Sequence, residues 1–128
     1  MIIPEKLHDS FQMVMEIMNT QYNHRDINFV QEHLIQLCSI SGLVAETLAI
    51  STENYNIAKN ESYEKNKLQG LKVAELQSII DKECCNEEAI KIYCKTIEQH
   101  LRSHIDSART IISYQKSELE NSLKTSKQ

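Results

Sequence analysis

Apolar residues recur every three or four positions along most of this chain, and that spacing predicts helix. After Pro4, the residues Leu7, Phe11, Val14 and Met18 fall four, three and four apart, with Met13, Met15 and Ile17 widening the apolar side. They make one face of a short amphipathic helix over 4–21. Pro4 suits its first turn, where a missing N–H costs nothing. The polar run from Asn19 to Asp26 reads as a loop. Asp26 is placed to cap the next helix, because its carboxylate can accept from backbone N–H groups that have no partner inside the helix.

The clearest pattern starts at Val30. Val30, Leu34, Leu37, Ser41, Val44, Leu48, Ser51, Tyr55 and Ala58 alternate four and three apart, a heptad seam on a long helix over 26–65. A second stripe of Ile40, Leu43, Ile50 and Ile57 lies beside it, so this helix is expected to have more than one neighbour. Gly42 falls inside the pattern without breaking it, at a cost of about 1 kcal/mol relative to alanine. Polarity rises from Asn60 to Lys67. A helical pattern then resumes over 67–83, as a separate helix or a continuation, with Gly70 the strongest candidate for a break. Cys84-Cys85-Asn86 marks the next boundary. Asn86 is the expected cap of a last helix over 86–123, and Glu87 and Glu88 suit the positive end of its dipole. Its seam is Ile90, Cys94, Ile97, Leu101, Ile105, Ala108, Ile112, Gln115 and Leu119.

The two major helices, at about 38 residues and roughly 55–60 Å, can pair along their whole length. The expected fold is all-α, a single helical domain over 1–128. It is a long, coiled-coil-like antiparallel hairpin plus a short N-terminal helix. Leu34, Leu37, Val44, Leu48 and Tyr55 form the seam on one side, and Ile97, Leu101, Ile105 and Ile112 on the other. Two helices are too thin to bury both stripes, so a homo-oligomer is expected.

Composition agrees with long elements. There are two glycines and one proline in 128 residues, far too few for the turns of a β-rich fold. Aromatics are 5% with no tryptophan, so the core must be mainly aliphatic. Net charge is −4. Residues 1–64 hold 3 Lys/Arg against 9 Asp/Glu (−6), and residues 65–128 hold 11 against 9 (+2). The start, Met1-Ile2-Ile3-Pro4-Glu5, lacks the basic segment and apolar run of a signal peptide. No stretch reaches the roughly 20 apolar residues of a membrane span. The expected setting is cytoplasmic, without membrane contact, and Cys38, Cys84, Cys85 and Cys94 are expected as free thiols.

Candidate chemistry is sparse. His100 and His104 stand four apart on one helix face, a spacing that can hold zinc when a third ligand joins them. The glutamate of a zinc protease is missing from His100-Leu101-Arg102-Ser103-His104, and the pair reads as flanking histidines. No Gly-rich phosphate loop or nucleophile elbow is present. The chain is therefore expected to be no enzyme and to need no metal or cofactor. One feature does point outward. Lys91, Lys95, Arg102, Arg109 and Lys116, spaced 4, 7, 7 and 7, form a basic row down the last helix, with Tyr93 and Tyr114 nearby. Such a row can track a phosphate backbone. It can equally be a solvated face that pairs across the hairpin with Glu46, Glu53 and Glu61.

The order of elements resembles the small helical recombination mediators of tailed phages. The likeness covers about residues 30–120. It lies in a long helix beginning near Leu34-Ile35-Gln36-Leu37-Cys38, an Asn/Lys/Tyr-rich stretch from Tyr55 to Tyr63, and a closing helix with Tyr93, Ile97, Leu101, Ile105, Ala108-Arg109, Ile111-Ile112, Tyr114 and Lys116. The resemblance implies a ring-forming, non-enzymatic protein that binds single-stranded DNA and helps load a recombinase. The rival expectation is a small phage-encoded interaction protein that inhibits or sequesters a host defence component, with a protein as its partner.

Overall fold

Four helices and no strand make up the described residues of the computed structural model, which are 3–21 and 23–126; Met1, Ile2, Tyr22, Lys127 and Gln128 lie outside them. The helices are α1 (Glu5–Met18), α2 (Ile27–Asn66), α3 (Val73–Glu83) and α4 (Cys85–Ser126). The fold is all-α, and its frame is the long pair α2 and α4 packed against each other. Three pairings fix their direction as antiparallel. Gln115 donates to the backbone carbonyl of His24 at 2.8 Å. The Cys94 thiol lies beside the Ser51 side chain. Lys91 sits over the ring of Tyr55, 4.8 Å from its centroid.

Local chemistry sets the helix ends. Asp26 caps α2, its Oδ1 accepting from the Asn28 N–H at 3.0 Å. Pro4 stands just before α1 with its carbonyl accepting from Leu7. The chain turns after α2 through Gly70, whose φ of +68° a residue with a Cβ would adopt only under strain. Gly42 stays within α2, and that helix runs through it unbroken. The α3–α4 boundary differs from the expected one. Cys84 alone separates the two helices, its N–H bonding to Ile80 and its carbonyl accepting from Glu88. Asn86 lies inside the first turn of α4 rather than capping it.

The core forms where α1 lies against α2 beside α4: Leu7, Phe11, Val14 and Met18 of α1 meet Leu37, Ile40 and Val44 of α2 and Ile90, Cys94, Ile97 and Leu101 of α4. Phe11 and Tyr93 pack ring to ring, with centroids 5.4 Å apart.

The position of α1 turns the expected seam on α2. Val30, Leu37, Val44 and Ser51, seven apart, are buried as the spacing predicts. Their expected partners are not: Leu34, Leu48 and Tyr55 are half-buried and Ser41 is exposed. His33, Ile40 and Thr47, one residue earlier in each repeat, are buried instead. The added helix covers that side of α2 and leaves the other side open. On α4, Ile97 and Leu101 are buried, whereas Ile105 and Ile112 are half-buried on the same open side.

One sequence expectation needs correction. By length and composition α2 is apolar enough to cross a membrane, with a mean hydropathy of 1.6 over its most apolar 18 residues. Scattered Ser, Thr and Gln side chains mask this stretch in a residue-by-residue reading.

Candidate functional site

Residues seven apart on a helix nearly stack in a column, which gives the open side a simple geometry. Two columns, Leu34–Ser41–Leu48–Tyr55 on α2 and Lys91–Glu98–Ile105–Ile112 on α4, half-buried except for the exposed Ser41, form the floor of a groove between the helices. The contact of Lys91 with Tyr55 joins them. On the α2 side the wall is small and uncharged, built from Cys38, Ala45 and Thr52. On the α4 side it is Lys95, Arg102, Arg109 and Lys116, all exposed. The opposite groove is the one α1 fills, where Ser10, Phe11 and Val14 face Val44, Thr47, Cys94 and Ile97.

The structure therefore divides the basic row. Lys91 faces the floor and shares the Tyr55 ring with Lys59, whose ammonium lies 5.3 Å from the centroid. Lys95, Arg102, Arg109 and Lys116 stand in line along the rim. Arg102 bonds within its own helix to Glu98 at 2.6 Å. The other ion pairs among the described residues are Lys65–Glu83 and Lys67–Glu64, so none joins the row to Glu46, Glu53 or Glu61. Glu46 and Glu53 are exposed on the side of α2 away from α4, and Glu61, also exposed, lies near Asn86 and Glu87 of α4 without a basic partner there.

The most apolar stretch of the chain lies in α2, and part of it faces this open side. Within the most apolar 18-residue stretch of α2, 28% of the residues are buried. Ile35 is 68% exposed, and Cys38, Gly42, Ala45 and Ala49 are exposed around it. A methyl group built on Gly42 would meet nothing within 4 Å, so the fold of a single chain gives no reason for glycine there.

His33, His104 and His24 gather near the end of the hairpin where α2 begins. Burial lowers the pKa of His33, and the charges of His104 and His24 lower it further. His100 is exposed. Among the described residues no three His, Cys, Asp or Glu side chains come together as a metal-holding group. At the other end, Glu83 closes α3 onto α2: it accepts from Ser62 at 2.6 Å, from Asn66 at 3.3 Å and from Lys65 at 3.4 Å. The Ser62 hydroxyl is the main cause of its lowered pKa; burial opposes the shift and Lys65 adds to it. Sequence reading missed this polar node, because Ser62, Asn66 and Glu83 look like ordinary surface residues until the chain folds back at Gly70.

No known protein family, curated protein or solved structure matches this chain.

Proposed function

We propose that this is a non-enzymatic helical assembly protein that acts by binding through the open side of its hairpin. The observation that carries this reading is the uncharged, exposed side of α2, where Ile35 is 68% exposed and Cys38, Ala45 and Ala49 are exposed beside it. An exposed apolar surface of that length beside charged rims is the mark of an interaction site. A lipid bilayer would cover the same stretch only if α2 left α4, giving up the packing of Val30, Leu37 and Val44. A partner that docks on the intact hairpin requires no such loss. The test is thermal unfolding of the full chain across a range of protein concentration. Self-assembly raises the midpoint with concentration by mass action. A midpoint independent of concentration removes self-assembly and leaves the interaction protein with a foreign partner.

The exposed basic rim favours one further reading, that of a single-stranded-DNA-binding recombination accessory. Lys95, Arg109 and Lys116 have no ion-pair partner among the described residues, and they project in line with Arg102 along one helix. Binding of an unlabelled-sequence oligonucleotide should then weaken with salt, with a log–log slope of about −3 if four cations each meet a phosphate. Retention that does not change with salt, or its absence at low salt, rejects this reading without touching the first.

A further inference from the structure

The acids of α2 and the bases of α4 match in level along the hairpin yet do not meet. Tyr55 is level with Lys91, Ser51 with Cys94, and His24 with Gln115. Between these anchors Glu32 falls level with Arg109, and Glu46 falls between Lys95 and Arg102. Within one chain the two columns point to opposite sides. Glu46 follows Ser41 by five residues, which is about 140° further round the helix from the groove floor.

We propose that the open groove is the docking site of a second copy of this chain, α2 against α2 in parallel, about a two-fold axis parallel to the helices. The inference rests on the assembly reading above and names its partner. In this arrangement α2 of each copy lies in the groove between α2 and α4 of the other. The uncharged wall around Cys38 and Ala45 then meets the partner's Ile105 and Ile112 column. The acidic column of one copy and the basic rim of the other come to the same outer edge, with Glu32 beside Arg109 of the partner subunit and Glu46 beside the partner's Arg102. The alternative two-fold axis, across the helices, stacks α4 on α4 and sets two basic rims against each other. Like charges facing one another disfavour it.

Size and shape agree with this occupant. The charge-free side of α2 runs from Asn28 to Thr52, about 37 Å at 1.5 Å per residue. A groove two helices wide gives roughly 700 Å² per copy, near the 800 Å² of a standard interface. Gly42 sits on the same stretch, where the absence of a side chain allows a close neighbour.

The test is the mass of the full chain by light scattering, on the wild type and on surface variants checked for unchanged helicity by circular dichroism. The wild type should be a dimer. Ala45→Glu should dissociate it, because a carboxylate would enter the apolar contact. Arg109→Glu should weaken it at least ten-fold, and adding Glu32→Arg to the same chain should restore it. The charge swap recovers the attraction only if these two columns meet. An assembled wild type that is indifferent to Ala45→Glu, or an Arg109→Glu loss that Glu32→Arg does not repair, overturns this docking mode while the assembly reading stands. A wild type that stays monomeric overturns both. Flotation of the chain with phosphatidylcholine vesicles, with no dimer in their absence, assigns the face to lipid and overturns the proposal.

Discussion

Two residues of similar type show how much position decides. Leu37 is fully buried at the meeting of three helices, whereas Leu68 is 89% exposed in the turn after α2. Leu37→Ala should cost about 2–5 kcal/mol in denaturant unfolding, and Leu68→Ala should stay within about 0.5 kcal/mol. His33 supplies a pH dependence whose sign follows from its surroundings. Burial and the nearby His104 and His24 hold its pKa below the ordinary value in the folded chain. The unfolded chain therefore binds the proton more readily, and stability must fall as pH drops below about 6.5 toward the lowered value. Above about 6.5 this residue should add no slope. His33→Leu should flatten the stability curve below about pH 6.5 in urea titrations; an unchanged slope assigns it to other groups.

At the scale of elements, the heptad spacing announced α2 and α4, but it could not say which flank of each would be covered. That depended on α1. A helix of 14 residues chose one groove, buried His33, Ile40 and Thr47, and left Leu34, Ser41 and Leu48 facing out. The spacing of Val30, Leu37, Val44 and Ser51 is common to both alternatives, which is why those four were legible and their partners were not. The basic row was legible as a row because its spacing of seven survives on any straight helix. The isolation of Lys91 on Tyr55 was not, since it needs the level of the two helices. The junction of α3 is held by side chains far apart in sequence, and it makes a separate prediction. Glu83→Ala removes the acceptor for Ser62, Asn66 and Lys65 together. Amide exchange should then quicken in Val73–Glu83 at pH 7 while the α2–α4 frame keeps its protection. Equal protection in the variant shows that Ile80 and the flanking apolar contacts hold α3 alone.

For the molecule as a whole, the hairpin is built asymmetrically. One groove is filled by α1, and the other has a floor of mixed character, an uncharged wall and a basic wall. The acidic first half and the basic second half of the sequence do not neutralise each other along the helix pair, because their columns face apart. In the proposed dimer a second chain would let them do so and would cover the exposed side of α2 in the same step. The most direct check of this account is the equilibrium mass of the full chain in sedimentation, followed from dilute to concentrated protein. The single chain is 14.8 kDa. Dimerisation raises the mass with concentration to about twice that value; a mass that stays at 14.8 kDa throughout contradicts it.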